Sequence, residues 1–229
     1  MHSVAWYNHP TPVKLTIEKY VDRISGQLYE ILSKSDAIET SQYQLPGLTA
    51  AEFKKNVPEW YPKIYRAIAA ITYGSGLDPE DLTQETFMKA YKRLNSYKSN
   101  SSAYTWLYQI AKNTCFDALR KVKVRRKAQS WFSVFSGGDD DSSFEPPSEQ
   151  GLDENMDQDE RISLTRKAIA MLPDQQRSLI VFKDFEELSY EKIAEIFDVP
   201  QGTIKSRLFN ARKQLKQNLE KLGYQHETF

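Results

Sequence analysis

The sequence predicts an all-α fold: two small helical domains joined by a flexible acidic linker, with an N-terminal helical extension in front. Three observations carry the expectation. Apolar residues recur at three- and four-residue steps in several stretches. Residues 133–160 break that pattern with Gly137, Gly138, Pro146, Pro147 and several serines. The charge is also sorted along the chain, although 31 basic and 31 acidic residues cancel to a formal net charge of zero.

The sorting matters more than the sum. From Lys112 to Lys127 there are seven Lys or Arg against the single acid Asp117, and from Thr203 to Lys221 six against Glu220. Between these basic segments, ten acids run from Asp139 to Glu160 with no Lys or Arg after Lys127 and before Arg161. A segment of this composition cannot offset the entropy of ordering it. With 229 residues and 40% hydrophobic content, the chain can fill one large core or two small ones.

The same composition argues against several function classes. Cys115, the single cysteine, cannot form an internal disulfide, and His2, His9 and His226 make no cluster with metal-ligand spacing. No apolar run approaches the roughly 20 residues that span a bilayer, and the N-terminus lacks the pattern of an export signal. The expectation is a soluble cytoplasmic protein, not an enzyme, with no cofactor, no metal and no membrane insertion. No nucleophile–base pair or phosphate-binding glycine loop is present.

Taken in order, residues 1–47 form the extension. Ile17, Tyr20, Val21, Ile24, Leu28, Ile31 and Leu32 mark an amphipathic helix over 16–35, weakened at Gly26, and a polar stretch from Ser35 to Gly47 follows. The first domain is placed at 48–130. Ile64, Ile68 and Ile71 define a helix ending near Gly74 and Gly76. Asp78 is positioned as the N-cap of the next, with Pro79 at its first helical position and Glu80 and Asp81 in its first turn. Leu82, Phe87, Ala90, Tyr91 and Leu94 form its inward face. After a polar loop at 95–102, a long helix turns Trp106, Leu107, Ile110, Ala111, Thr114 and Leu119 inward. The linker occupies 131–160 and the second domain 161–229. There Ile162, Leu164, Ala168, Ile169 and Leu172 form one helix, stopped by Pro173, and Leu179, Ile180, Phe182 and Phe185 a second.

The strongest functional signal is LSYEKIAEIFDVPQGTIKSRLFNARKQL, from Leu188 to Leu215. Ser189 caps a short helix, Asp198-Val199-Pro200 turns the chain, and a last helix follows. Small Ala194 sits where two helices cross and apolar Val199 in the turn, the pattern of a helix-turn-helix. Ile204 and Leu208 face inward. Gln201, Thr203, Lys205, Ser206, Arg207, Asn210, Arg212 and Lys213 face outward, with donors suited to base edges and phosphates. A second signal lies in the long helix, where Tyr104, Trp106, Tyr108 and Phe116 precede Arg120, Lys121, Lys123, Arg125, Arg126 and Lys127. Stacking surfaces followed by phosphate-binding charge suit single-stranded or opened DNA, although the same pattern also describes a core face followed by a solvated one.

The segment DPEDLTQETFMKAYKRLNSYKSNSSAYTWLYQIAKNTCFDALRK, Asp78 to Lys121, resembles region 2 of the extracytoplasmic-function (ECF) sigma factors of the sigma-70 family. Its likeness lies in the D-L-x-Q-E-x-F helix and the later W-L-x-x-I-A-x-N helix. Leu172 to Leu215 resembles their region 4. The resemblance implies a region 2 three-helix domain and a region 4 helix-turn-helix domain that bind core RNA polymerase at its clamp helices and flap and direct initiation at promoters. It places Asp81, Gln84, Glu85 and Phe87 on the helix that docks on polymerase. It assigns the minus-10 element to the loop and following helix, with Tyr97, Lys98, Asn100, Ser101, Tyr104, Trp106, Asn113, Arg120 and Lys121 as DNA-binding candidates. Trp106 suits either the core or the DNA face. The recognition helix from Gln201 would read the minus-35 duplex with the eight outward residues named above. Promoter DNA and core polymerase are the implied partners, and an anti-sigma factor is a further one left open.

The chain departs from the family pattern at Tyr97-Lys98-Ser99, where many members have Phe-Arg-Gly, and its first 47 residues have no counterpart in a minimal member. Two other classes stay open beside the sigma reading: a transcriptional regulator using the same helix-turn-helix without joining polymerase, and an adaptor that engages polymerase or an anti-sigma factor without opening promoters. For the ten linker acids two expectations stay open: that the linker threads the RNA exit path of polymerase, or that it shields the basic faces from non-specific DNA.

Overall fold

A computed structural model of the chain describes residues 48–97, 102–135 and 158–224. The helix expected over 16–35, the loop residues 98–101 and the acidic stretch 136–157 lie outside the described residues.

The first helix, α1 (Ala50–Thr72), starts at a reciprocal capping box. The Thr49 hydroxyl accepts from the Glu52 amide at 3.1 Å, and the Thr49 amide donates to the Glu52 carboxylate at 2.9 Å. Pro58 and Pro62 lie inside α1, where each removes one backbone donor. The packing of Phe53, Val57, Tyr61, Ile64, Ile68 and Ile71, all buried, holds the helix together across them. Gly74 and Gly76 then take positive φ of 75° and 79°, which glycine adopts without a Cβ clash, and the chain reverses.

Asp78 caps α2 (Pro79–Lys92) by accepting from the Glu80 amide at 2.8 Å. A short 3-10 turn, Leu94–Ser96, leads to the loop, and α3 (Ala103–Phe135) begins with the Ser102 hydroxyl accepting from the Thr105 amide at 3.1 Å. At 33 residues α3 is roughly 50 Å long. Beyond Leu119 the described side chains of α3 are half-buried or exposed, and within that basic run Arg126 donates to the Ser75 carbonyl at 3.0 Å.

The C-terminal group holds α4 (Gln158–Ala170), α5 (Asp174–Ile180), α6 (Tyr190–Phe197) and α7 (Gln201–Lys221). The regular second helix expected through Phe185 is corrected here: α5 widens at Val181–Phe185 into a π turn, with the Glu186 amide bonding back to the Val181 carbonyl at 3.0 Å. The widened turn sends Phe182 and Glu186 one way, toward the N-terminal helices, and Asp184 the other, toward α7.

The two helical groups share one continuous core. Phe182 meets Tyr108 of α3 edge to face with ring centroids 5.3 Å apart. The guanidinium of Arg177, buried between the groups, donates to the Ile71 carbonyl at the end of α1 (2.8 Å), to the Leu172 carbonyl (3.2 Å) and to the Ala170 carbonyl at the end of α4. Those carbonyls have no helical partner of their own, and a guanidinium is the side chain whose donors can satisfy several at once. Asn218 of α7 ties the group further, its amide donating to the Ala168 carbonyl at 3.0 Å.

Replacing Arg177 with Met keeps the volume and leaves three carbonyls without this donor, those of Ile71 and Leu172 in buried contacts. Urea denaturation is expected to show a loss of about 3 kcal/mol or more, with Arg177→Lys falling between Met and wild type.

Candidate functional site

The outward face of α7 is built by helical spacing. Ile204, Leu208, Ala211 and Asn218 are buried on one side, which turns Ser206, Lys213, Asn210 and Lys205 to the other, all exposed. Arg207 is exposed and Thr203 half-buried at one margin of this face. Gln201 and Arg212 lie at the other margin, already engaged. The Gln201 amide donates to the Glu191 carboxylate of α6, and Arg212 is paired with Asp184 on the π turn. Lys205 lies over the Tyr190 ring at 5.6 Å. The turn between the helices depends on Asp198, which adopts φ 53°, ψ 51° and donates its amide to the Ala194 and Glu195 carbonyls. Aspartate tolerates this left-handed cap better than most residues.

A residue absent from the sequence expectation stands on the same face. Phe209 is 71% exposed, the most exposed large apolar side chain among the described residues, between Lys205 and Lys213. An apolar residue off the buried stripe of a helix was the available signal. Beside it, Gly202 has open space where a Cβ would stand, so the start of α7 can approach a ligand closely.

The second face lies on α3. Trp106, Asn113 and Arg120 follow one another at seven-residue steps on one side of the helix; Asn113, Arg120 and Lys121 are exposed. Trp106 is half-buried, its ring 5.3 Å from that of Tyr97, so it serves core and surface together. Tyr97 ends the 3-10 turn immediately before the loop, and partial burial raises its phenol above the ordinary value. Lys98, Asn100 and Ser101 lie outside the described residues. Tyr104, half-buried, stands apart from that row, its hydroxyl 2.7 Å from that of Tyr108 in the seam between the helical groups. Burial there lifts its phenol to about 12.

On α2, Asp81 and Glu85 are exposed one turn apart, with Gln84 half-buried beside them. Gln84 donates to Glu80 at 3.3 Å, and Glu85 pairs with Lys89 at 2.7 Å. Phe87 lies on the inward face of α2, as its spacing predicts. It is fully buried, stacked on Tyr61 at 5.5 Å and packed against Phe53, so it shapes α2 from beneath and offers nothing to a docking partner.

The seam holds a carboxylate whose pKa is raised. Glu186, its side chain 6% exposed, accepts from the Tyr108 hydroxyl at 2.7 Å and faces Arg66 at 3.7 Å. Burial raises its pKa above 4.5, while Tyr108, Arg66 and Lys63 pull it down.

These are the fold and outward basic surface of a helix-turn-helix protein with a second polar, aromatic face on a separate helix. Residues 57–125 match the sigma-70 region 2 family and residues 163–215 the sigma-70 region 4 family. The chain is 34% identical over 150 residues to the RNA polymerase sigma-H factor of Pseudomonas aeruginosa, covering 63% of this chain and 75% of that one. It is 34% identical over 145 residues to the ECF RNA polymerase sigma-E factor of Escherichia coli K12, with the same coverage. Among solved structures, the sigma factor RpoE in its co-crystal with the anti-sigma factor NepR from Bartonella quintana aligns with a TM-score of 0.54 at 28% identity, over 74% of this chain and 97% of that one. CnrH, in complex with the cytosolic domain of CnrY, shares the fold with a TM-score of 0.52 at 17% identity, over 88% of this chain and 98% of that one. The chain belongs to the ECF group of the sigma-70 family, the sigma factors of promoter-specific transcription initiation.

A raised carboxylate pKa means that folding takes up a proton at Glu186 between 4.5 and the raised value. Its contribution to stability therefore falls as pH rises through that interval. Glu186→Gln keeps an acceptor for Tyr108 and removes this term. Denaturation at a series of pH values is expected to show the variant gaining on wild type as pH rises above 4.5.

Proposed function

We propose that the protein docks on core RNA polymerase through α2, reads a minus-35 duplex with α7, and holds the opened minus-10 strand against α3. The observation that carries this reading is the presence on one chain of two separate DNA-suited faces, the donor-rich outside of α7 and the Trp106–Asn113–Arg120 row of α3. A helix in the major groove meets base edges with its outward side chains. Asn210 supplies paired donor and acceptor, Ser206 a hydroxyl, and Phe209 an apolar surface suited to a thymine methyl. Lys205, Arg207 and Lys213 supply charge for phosphates.

The α3 row meets a different need. Unstacking a base costs a few kcal/mol per step, and the strand must be held by stacking, hydrogen bonding and charge. The Tyr97–Trp106 pair beside the loop provides aromatic surface, Asn113 hydrogen-bonding groups, and Arg120 and Lys121 phosphate contacts. Asp81 and Glu85 offer a basic clamp surface an acidic ridge, with Phe87 fixing the helix beneath. Nucleotide addition itself belongs to the polymerase, and the protein works in the cytoplasm with it. RpoE of Bartonella quintana is bound by an anti-sigma factor in its structure, and we assign this chain a partner of the same kind.

Transcription reconstituted with core enzyme tests the whole reading: start sites at defined promoters are expected only when the protein is added. Sequence-specific DNA binding with no effect on core initiation would instead establish a regulator. On a duplex carrying the minus-35 element of such a promoter, Lys213→Ala is expected to weaken binding across sequences and lower the salt slope by about 1. Phe209→Ala is expected to weaken binding about tenfold, with discrimination relaxed at one base pair.

A further inference from the structure

We infer that Asp184, an acid outside the helix-turn-helix, is a positioning residue for promoter binding: it holds the Arg212 guanidinium at the wall of the major groove, turned toward a backbone phosphate. The inference rests on the functional reading above and adds to it a residue whose own charge opposes DNA.

Arg212 stands on α7 next to Ala211, where the buried stripe gives way to the outward face. A helix with its side chains is about 10–12 Å across and the major groove about 12 Å wide, so a helix seated in the groove nearly fills it. Side chains at the centre of the outward face then meet base edges. Those at its margins meet the groove walls, where the phosphates run. Lys205, seven residues before Arg212, stands on the same margin.

Asp184 reaches that margin from another element. The π turn Val181–Phe185 directs it toward α7, where its two carboxylate oxygens accept from Nε of Arg212 at 3.3 Å and from Nη2. This fork leaves Nη1 outside the pair, with two N–H donors for a further acceptor. The Arg212 side chain is 49% exposed and that of Asp184 34%, so a ligand can reach the pair. The bond to Asp184 raises the Arg212 pKa, burial lowers it, and the Tyr190 phenol adds a smaller rise.

The neighbouring cations are held as well. Lys183 donates to the Leu188 carbonyl at 3.1 Å and lies 4.7 Å from the centroid of the Tyr190 ring, and Lys205 lies over the same ring at 5.6 Å. An arginine without a partner gives up its rotamer freedom when it meets DNA. One already forked to a carboxylate gives it up on folding, and its planar donors arrive oriented. Against this stands a negative charge close to the phosphates, which Coulomb repulsion alone disfavours.

The two effects have opposite signs, and binding measurements separate them. Fluorescence anisotropy of the full chain is read over a range of salt on a duplex carrying the minus-35 element and on a scrambled one. Asp184→Ala is expected to weaken binding about fivefold on both and to lower the salt slope by about 1, as one phosphate contact is lost. Asp184→Glu keeps the carboxylate and is expected to retain the wild-type slope. In an Arg212→Ala background, Asp184→Ala is expected to tighten binding, because only the repelling charge is then removed. A role in folding alone would weaken both backgrounds alike. Circular dichroism checks that the helices persist, and if Asp184→Ala unfolds, Asp184→Asn replaces it.

An Asp184→Ala protein that binds as tightly as wild type, or more tightly, overturns the inference, as does equal weakening with and without Arg212. A wild type that binds both duplexes alike breaks the minus-35 reading instead, and the Asp184 comparison on either duplex still decides the positioning. A wild type that binds neither overturns both.

Discussion

One buried guanidinium sets the arrangement of the rest. Arg177 gathers the carbonyl ends of α1 and α4, and with Leu172 it fixes where α5 must start. Once α5 is fixed, the π turn that continues it has a set direction, and Phe182 and Glu186 reach Tyr108 while Asp184 reaches Arg212. A lysine could not do this. Its three donors sit on one nitrogen, whereas the guanidinium spreads its donors over a plane wide enough to serve separate chain ends.

The consequence for function is a separation of roles by helix face. On α3 the side bearing Tyr108 and Lys112 belongs to the seam, and the side bearing Trp106, Asn113 and Arg120 lies outside it. On α7 the stripe of Ile204, Leu208 and Ala211 is committed to the core, and the opposite side carries the charge. Each helix thus has one face committed to packing and another left outside it. Tyr104 and Arg212 lie near the boundaries and are drawn to the structural side by Tyr108 and Asp184.

Much of the fold was legible from local chemistry. The cap at Asp78, the stop at the Gly74–Gly76 turn and the helix-turn-helix spacing are properties of neighbouring residues, and local signals report them directly. The buried tyrosine and lysine of the seam were not legible, because their partners lie 78 and 84 residues away in sequence. Tyr108 reads in sequence as a stacking candidate and Lys112 as the start of a basic run; only the fold shows that both point inward. Phe87 was legible by its spacing, on the inward face of α2. It shares a motif with exposed Asp81 and Glu85, but a motif groups residues along the chain and a helix separates them by face. The π turn was invisible too, since one widened turn leaves the apolar spacing of Leu179, Ile180 and Phe182 unchanged.

The capping box at the start of α1 has a consequence for how such a chain can vary. Thr49 and Glu52 satisfy each other's backbone donors with no help from any residue upstream. The cap of α1 is therefore complete within its own first turn. A change of sequence before Leu48 leaves both of these bonds in place, so the start of α1 can stay constant among chains that differ there.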